Sequence, residues 1–229
     1  MINILLSGAL GKMGKMITSC AEESEEFNII AGIDKIEEKT GAFPIYSSTD
    51  NLNVKADVII DFSHPSFLKM LLKYSLEKKI PLVIGTTGYN LDELNLIYDV
   101  ANRIPIIYLE NYSLGINAIK SVIKDLEKYL TDFEINIIEK HHKTKIDKPS
   151  GTAKLFQKVL SKDVNFYSIR TSNIVGEHKI IFNYLDEEIE ITHRAYSKRI
   201  FALGAIKCAK LIINKPPKLY SYEELILGG

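Results

Sequence analysis

The sequence predicts an α/β protein in which a doubly wound parallel sheet is followed by an inserted α+β domain with an open mixed or antiparallel sheet. Five short apolar runs alternate with helical patterns in the first half of the chain; they are residues 2–7, 28–34, 57–62, 81–84 and 105–109. Strands that read as fully apolar are typical of a parallel sheet covered by helices on both faces. Beyond residue 130 the pattern changes to alternating apolar and polar residues, which favours strands with one wet face.

Composition excludes several other classes of protein. The chain has 229 residues, 46% of them hydrophobic, and 29 basic residues balance 29 acidic ones. A net charge of zero provides no field for nucleic acid, and no run approaches the ~20 apolar residues of a membrane span. Cys20 and Cys208 fall in helical patterns far apart, and no secretory signal is evident. We therefore expect a cytoplasmic protein with neither nucleic acid nor membrane as a partner.

The first strand leads into a glycine turn. Gly8, Gly11 and Gly14 follow residues 2–7 directly, and Met13, Ile17 and Cys20 mark one face of the helix after them. Strand, glycine turn and helix form the phosphate-binding start of a Rossmann-like dinucleotide fold, in which the helix N-terminus favours the pyrophosphate. Leu10 stands where a middle glycine is usual, so a plain tight turn is the alternative interpretation.

Asp34 ends the second strand. Such folds place an acidic residue about 20 residues after the glycine turn, where it accepts hydrogen bonds from the adenosine ribose. Lys35 follows and can tolerate the additional phosphate of NADPH. The alternative is an aspartate that only caps a loop.

Polar and glycine residues also follow the later strands. The chain reads GTTG after residues 81–84 and ENYS after residues 105–109. Because ligands of doubly wound sheets bind beyond the carboxyl ends of the strands, these segments are expected to line a cofactor cleft. His64, before Pro65, reads as a turn residue rather than a catalyst.

The remaining segments predict the second domain. An amphipathic helix covers residues 115–130, and alternating strands are expected at 133–138, 179–184 and 187–192, the last two joined by a turn at Leu185-Asp186. From about residue 198 a helical pattern returns and is expected to pack on the first domain. The predicted domains are residues 1–112 with 198–229, for dinucleotide binding, and residues 113–197, for substrate binding and oligomerisation.

Residues 139–153, which read EKHHKTKIDKPSGTA, concentrate the titratable groups of this second domain. We interpret the segment from His141 as a loop between a strand and a helix that begins at Ser150. The PSGT turn offers N–H groups and hydroxyls to a carboxylate or phosphate, and His141 and Lys145 can supply protons. Two alternatives are a metal site at the paired histidines and a purely structural hydrogen-bond network. Lys143 and Lys148 read as solvated.

This stretch resembles the E-x-HH-x-x-K-x-D-x-PSGTA signature of the 4-hydroxy-tetrahydrodipicolinate reductase family, of the diaminopimelate route to lysine. The resemblance continues in GALGKMG, DFSHP, GTTG, ENYSLGIN, SIRTSNIVGEH and THRAYSKRIFALGA, so that it covers nearly the whole chain in order. It implies reduction of 4-hydroxy-tetrahydrodipicolinate to tetrahydrodipicolinate with NADH or NADPH and loss of water. It also implies a homotetramer joined through the C-terminal sheet and a small dicarboxylate substrate.

The resemblance assigns roles to individual positions. His141 would transfer the catalytic proton and Lys145 would be a second proton donor, while the substrate carboxylates would be bound by His142, Ser150, Gly151 and Thr152. The cofactor would be held by Gly8, Ala9, Leu10, Gly11, Lys12, Met13, Asp34, Lys35, Gly85, Thr86, Thr87, Leu109, Glu110, Asn111 and Tyr112. No metal is implied.

Some positions depart from the family pattern. Lys12, Lys35 and Lys198 stand where arginine is common, and lysine lacks the bidentate fork of arginine at a phosphate. These lysines favour NADH slightly, with use of both cofactors expected. The segment between Asp34 and Asp57, which lies near the adenosine, is also compressed and does not favour either cofactor. Two other functions are compatible with parts of the pattern: a semialdehyde dehydrogenase, which needs a nucleophilic cysteine, and a nucleotide-sensing regulator, which needs no His-His-Lys loop.

Overall fold

The computed structural model describes residues 1–38, 41–50 and 52–227. Its helices and strands, in chain order, are β1 (Ile2–Ser7), α1 (Lys12–Glu22), β2 (Phe27–Ile33), β3 (Ile45–Tyr46), β4 (Val58–Asp61), a 3-10 turn (Pro65–Phe67), α2 (Leu68–Lys78), β5 (Leu82–Ile84), α3 (Leu91–Ala101), β6 (Pro105–Tyr108), α4 (Leu114–Leu126), β7 (Glu134–His141), α5 (Gly151–Val159), β8 (Val164–Arg170), β9 (Gly176–Tyr184), β10 (Glu187–Ala195), α6 (Arg199–Ile212), β11 (Lys218–Tyr220) and α7 (Tyr222–Leu227).

The chain divides into two compact units. The first unit comprises residues 1–112 and 201–229, and the second comprises residues 113–200. The first division lies after residue 112, and the second lies inside α6, after residue 200.

Seven parallel strands form the sheet of the first unit, in the order β11-β6-β5-β4-β1-β2-β3. The prediction of a doubly wound parallel sheet is thereby confirmed. The strand order reverses between β1 and β4, and in such sheets ligands bind at the carboxyl ends beside this reversal. The apolar runs of the sequence supply the core, in which Leu5, Ile59 and Ile84 are fully buried with Leu71 of α2 and Ile97 of α3.

Two strands of this sheet were not predicted. Strand β3 has two residues and β11 has three, and both lie at the edges of the sheet. Neither is long enough to show a periodic pattern in the sequence. Strand β11 follows Pro216-Pro217 and pairs with β6, so that the C-terminal tail extends the first sheet.

The second unit contains a four-stranded mixed sheet in the order β10-β9-β7-β8. Strands β7 and β8 are parallel, and the other two pairings are antiparallel. Helices α4 and α5 cover one face, where Ile123, Ile137, Phe156 and Phe182 are fully buried. On the opposite face β10 carries the polar residues Glu188, Glu190, Thr192 and Arg194, as predicted for a wet face, whereas β8 carries the exposed Tyr167 and Ile169. Strand β8 was not predicted, because VNFYSIR has no sharp contrast between its two faces.

One boundary near the clustered titratable groups was wrong. The sequence placed His141 in a loop, whereas the structure continues β7 through His141, which is aligned with Arg170 of β8. The inward positions of β7 are Ile135, Ile137, Glu139 and His141, so the strand period continues with polar residues facing the core. Among the described residues, no helix is long and apolar enough to cross a membrane.

Candidate active site

The glycine turn connects β1 with α1 at the carboxyl edge of the parallel sheet. Gly8 has a φ of +79°, and a Cβ there would overlap the carbonyl oxygen of Phe62. A Cβ at Gly14 would overlap the carbonyl oxygen of Gly8, so the helix can approach the turn only with glycine at this position. Gly11 occupies the N-cap of α1 and has no side chain with which to cap it. The backbone is thus arranged as an anion-binding helix N-terminus requires.

Asp34 lies beside this turn. Its carboxylate accepts hydrogen bonds from the backbone N–H groups of Leu10, at 2.8 Å, and of Lys35, at 2.7 Å. Each carboxylate oxygen has a second lone pair, so these contacts leave Asp34 able to accept from a ligand hydroxyl. Asp34 thus caps the loop through two N–H groups, and the same carboxylate can still accept from a ribose hydroxyl.

The other predicted cofactor positions lie at the carboxyl ends of β1, β5 and β6 in the same sheet. Lys12, Thr87 and Glu110 are exposed, whereas Ala9 and Thr86 are buried. Thr86 accepts a hydrogen bond from the N–H of Ser63 at 2.8 Å. Partly exposed positions are Leu10, Met13, Gly85, Leu109 and Asn111.

Tyr112 is a core residue. Only 2% of it is exposed, and its hydroxyl lies 2.8 Å from the Ile84 carbonyl and 3.2 Å from the Ile107 carbonyl. Its ring packs against Phe62 with centroids 5.6 Å apart. Its side chain thus links β5 with β6, and its hydroxyl is hydrogen-bonded within the sheet.

Asp61, at the end of the central strand β4, was not among the predicted residues. It is 1% exposed, and the hydroxyl of Ser63 donates to it at 2.5 Å. Burial raises the pKa of Asp61, and hydrogen bonds from Ser63 and Thr86 only partly oppose this rise. The buried carboxyl group of Asp61 therefore holds Ser63, which follows β4, and Thr86, which follows β5, in place.

In the second unit, a buried ion pair organises the end of β7. Glu139 is fully buried, and Arg170 of β8 donates to both of its oxygens, at 2.8 Å and 2.6 Å. Nδ1 of His141 makes a short hydrogen bond to the same carboxylate. Burial opposes ionisation of Glu139, but the hydrogen bonds from Arg170, Ser168 and His141 outweigh it and lower its pKa to about 2.

These contacts define the state of His141. Glu139 is ionised at neutral pH and can only accept hydrogen bonds, so Nδ1 of His141 carries the proton. Burial lowers the pKa of His141, and the Glu139 carboxylate offsets this only in part. The imidazole is consequently neutral at neutral pH and has its lone pair on Nε2. Nε2 of His141 lies close to Gly176, because a Cβ added at that glycine would be only 3.1 Å from this nitrogen.

Residues 142–149 form the loop between β7 and α5, and their polar groups are paired locally. Nζ of Lys145 lies 2.7 Å from Oδ1 of Asp147, and Nδ1 of His142 lies 2.7 Å from the hydroxyl of Thr144. Burial opposes ionisation of Asp147, but Lys145 and backbone N–H groups, including that of Gly151, lower its pKa. The carboxylate of Asp147 therefore already contacts both Lys145 and the N-terminus of α5.

Arg170 also holds this loop. Its guanidinium donates to the carbonyl of Asp147 at 2.6 Å and to that of Lys145 at 3.3 Å. Sequence reasoning missed Arg170 because β8 itself was not recognised, although Arg170 lies in the SIRTSNIVGEH segment. Lys143 and Lys148 are exposed, as predicted.

The PSGT turn starts α5. Ser150 is the N-cap, 1% exposed, and its hydroxyl accepts from the N–H of Ala153 at 3.2 Å. Gly151 and Thr152 follow in the first turn of the helix. The predicted substrate residues thus lie together with His141 and Lys145 in one region of the second unit.

The other interpretations meet specific obstacles. Cys20 and Cys208 are buried free thiols, and burial raises the pKa of Cys208 to about 12, which is the opposite of an activated nucleophile. Among the described residues, no group of three or more His, Cys, Asp or Glu side chains could hold a metal ion.

A nucleotide turn in a doubly wound sheet, combined in one chain with a histidine–carboxylate site on a second unit, defines the class of two-domain nicotinamide-dependent oxidoreductases. Comparison with known protein families leads to the same class. The family model for the N-terminus of dihydrodipicolinate reductase matches residues 2–112, and that for its C-terminus matches residues 115–226.

Individual relatives match over their full lengths. The 4-hydroxy-tetrahydrodipicolinate reductase of Clostridium tetani is 41% identical, with 97% of this chain and 96% of that protein covered. The enzyme of the same name from Caldanaerobacter subterraneus is 37% identical, with all of both chains covered. The chain belongs to the dihydrodipicolinate reductase family, and the resemblance inferred from the sequence is confirmed.

A solved structure supports the fold. The dipicolinate-bound dihydrodipicolinate reductase from Paenisporosarcina sp. TG-14 superimposes with a TM-score of 0.86 over 98% of this chain and 99% of that one. Its sequence identity is 20%, so this likeness concerns the fold alone.

The buried carboxylate generates a prediction about stability. The pKa of Glu139 is about 2 in the folded protein, below its ordinary value of 4.5. Glu139 therefore stabilises the fold above pH 4.5 by about 3 kcal/mol, and this contribution is lost as the pH falls from 4.5 towards 2. Glu139→Gln should lower the free energy of unfolding at pH 7 by about 3–5 kcal/mol. It should also flatten the fall in stability between about pH 4.5 and about pH 2.

Urea unfolding at several pH values, followed by circular dichroism, measures both effects. Glu77→Gln is the matched control, because it removes a carboxylate from an exposed pair with Lys73 on α2 and should cost less than about 1 kcal/mol. A Glu139→Gln protein with the pH dependence of the wild type would contradict the interpretation.

Proposed function

We propose that this chain catalyses the reaction for which its relatives are named, the reduction of 4-hydroxy-tetrahydrodipicolinate with NADH or NADPH, in the diaminopimelate route to lysine. The product is tetrahydrodipicolinate, and the 4-hydroxyl group leaves as water. The observation that carries the proposal is the complete signature from Glu139 to Thr152, folded so that a neutral His141 and Lys145 share one region with the N-terminus of α5.

His141 is suited to transfer protons during loss of water. Its Nε2 lone pair can accept a proton from the substrate, and the Glu139 carboxylate stabilises the imidazolium that forms. Lys145 is the second proton donor in this proposal, with Asp147 as its partner when no substrate is bound. A dicarboxylate that reaches the site would compete with Asp147 for Lys145 and for the first turn of α5.

The substrate carboxylates are assigned to His142, Ser150, Gly151 and Thr152. Helix α5 begins at Gly151, and the positive end of its dipole favours an anion at this point. The Ser150 hydroxyl already caps the helix, so Ser150 contributes by holding the turn in place. Direct contact with the substrate carboxylates is assigned to His142, Gly151 and Thr152.

The cofactor is assigned to the first unit, where the residues of the glycine turn and Asp34 would hold its pyrophosphate and ribose. When bound, the nicotinamide supplies the hydride that reduces the conjugated imine left by loss of water. The chain's own contribution is to hold the dinucleotide through backbone N–H groups and one carboxylate.

Activity measurements test the proposal directly. His141→Ala and Lys145→Ala should each lower kcat by about 10²–10⁴-fold, the range expected for loss of general acid–base catalysis. Their NADH affinity should be unchanged, because the cofactor residues belong to the first unit. The assay couples purified protein to the product of dipicolinate synthase and follows NADH absorbance.

Lys143→Ala is the matched control, since Lys143 is an exposed lysine of the same loop and should be dispensable. Absence of any substrate-dependent oxidation of NADH or NADPH by the wild type would refute the reaction. Loss of NADH affinity in the His141 or Lys145 variants would refute their assigned positions.

Cofactor preference depends on Asp34 and Lys35 in this proposal. The Asp34 carboxylate accepts from ribose hydroxyls and repels a 2′-phosphate, so calorimetry should show a slight preference for NADH. Asp34→Ala should weaken NADH more than NADPH, and Lys35→Ala should weaken NADPH more than NADH. Asp34→Asn is the control that retains an acceptor for the Leu10 N–H without the charge. Equal effects on both cofactors in all three variants would exclude this basis for preference.

The partner of the second unit is proposed to be further copies of the same chain, in a homotetramer joined through the open face of its sheet. Tyr167 and Ile169 on this face are 54% and 41% exposed, and Ile181 and Ile138 lie on the same face by strand register. A cluster of apolar side chains among charged neighbours is typical of a subunit interface.

Light scattering should therefore give the mass of four copies for the wild type. Ile169→Lys should dissociate the assembly, because a lysine would be buried without a partner at the interface. Val122→Lys, on the exposed side of α4, is the control and should leave the mass unchanged. A monomeric wild type, or an unchanged mass for Ile169→Lys, would exclude this surface.

A further inference from the structure

His178 lies in the interior of the second unit, beside the proposed substrate site, and has no role in the function described above. It is on β9 and is only 4% exposed. Its ring meets that of His141 edge-on, with centroids 5.1 Å apart, and meets Phe156 of α5 in the same manner at 6.0 Å. The residue therefore bridges the strand that carries His141 and the helix that starts with the PSGT turn.

The ring of His178 is hydrogen-bonded to Ser150. Nε2 of His178 lies 2.9 Å from the Ser150 hydroxyl oxygen. That oxygen also accepts from the Ala153 N–H as the N-cap of α5. A hydroxyl has one proton and two lone pairs, so the Ser150 hydroxyl can donate to Nε2 or accept from it, according to the tautomer of His178. In both cases the bond ties the N-cap serine to the ring of His178.

The surroundings maintain this neutral form. Burial lowers the pKa of His178 to about 3, and the neighbouring His141 contributes to the shift. Protonation would add a cation close to His141 and Lys145. His178 is therefore neutral throughout the neutral pH range.

The arrangement has a cost that packing alone does not explain. Nδ1 of His178 is buried and has no hydrogen-bond partner among the described residues. A buried ring nitrogen without a partner, whether it carries a proton or a lone pair, costs about 1–3 kcal/mol, which a leucine or phenylalanine at this position would avoid. A residue that retains such a cost beside a site of chemistry is a candidate for a functional role.

We propose that His178 is a positioning residue that fixes the substrate-carboxylate turn relative to His141. Its hydrogen bond with the Ser150 hydroxyl fixes the rotamer of the N-cap and hence the first turn of α5 with Gly151 and Thr152. Its ring also packs against His141, so the proton-transfer group and the anion-binding turn share one support. This inference rests on the proposed function, because it concerns how the same site holds its dicarboxylate.

The chain offers a matched control in His193. This residue pairs with His178 across β9 and β10, and its Nε2 lies 3.4 Å from the hydroxyl of Ser113, the N-cap of α4. Its Nδ1 is likewise buried without a partner among the described residues. The two histidines thus have the same arrangement at two helices, and only one of these helices starts with the proposed substrate turn.

The test compares His178→Leu, His178→Gln and His193→Leu with the wild type, using dipicolinate and NADH as calorimetric probes and steady-state kinetics. His178→Leu should weaken dipicolinate binding and raise KM for the substrate by about tenfold or more, as loss of a buried hydrogen bond implies. NADH affinity should remain within about twofold of the wild type, less than 0.5 kcal/mol. His178→Gln, whose amide oxygen can accept from Ser150, should recover most of the dipicolinate affinity.

His193→Leu should leave dipicolinate affinity unchanged even where it lowers thermal stability. The proposal is overturned if folded His178→Leu binds dipicolinate like the wild type, if the glutamine variant is as impaired as the leucine variant, or if His193→Leu causes the same loss. If His178→Leu does not fold, Ser150→Ala and the double variant Ser150→Ala/His178→Gln measure the same bond. The double variant should then bind dipicolinate no worse than Ser150→Ala alone, and an additive loss overturns the proposal. An inactive wild type would instead refute the proposed function.

Discussion

The site of the second unit depends on the burial of one carboxylate. Glu139 has no exposed surface, and an isolated buried charge costs several kcal/mol. The bidentate contact with Arg170 offsets this cost and ties β7 to β8 at their ends. The same carboxylate then fixes the tautomer of His141, so that its ionisation supports both the fold and the chemistry. Removing either partner would leave a charge buried without compensation.

Arg170 extends this effect to a segment without regular structure. The loop of residues 142–149 has few backbone partners of its own, and two of its carbonyl groups accept from the guanidinium. An arginine can serve Glu139 and the loop at once because its planar group carries five donors, whereas a lysine has three around a single atom. Lys145 and Asp147 are thereby held near the start of α5 with their charges paired to each other.

The sequence predicts those parts of the molecule in which hydrophobic pattern and local chemistry agree. The apolar runs specified β1, β2, β4, β5 and β6, and the glycines at positions 8 and 14 are required by backbone contacts that occur in the structure. The hydrophobic pattern did not predict β8, whose residues have no clear alternation. It also did not predict β3 and β11, which are too short to show a period. Since Arg170 lies on β8, the partner of Glu139 could not be found before that strand was known.

The misplaced end of β7 has a different cause. Ile135 and Ile137 face the core, and the next two inward positions are Glu139 and His141, where a hydrophobic pattern stops although the strand does not. Polar residues that continue the inward period of a strand are a signal of a functional site, because burial selects against them unless partners are supplied.

The contact between His178 and Ser150 shows how a functional constraint can be expressed through helix capping. A serine N-cap needs only a donor from the helix, and its own hydroxyl can usually be completed by water. At Ser150 the hydroxyl faces a histidine nitrogen instead, so the cap has an oriented partner. The imidazole of His178, on the inner strand β9, fixes the direction of this hydroxyl at the helix start that is proposed to hold a ligand, at the cost of an unpaired Nδ1. His193 makes a longer contact with Ser113 from the edge strand β10, at a helix for which no ligand is proposed.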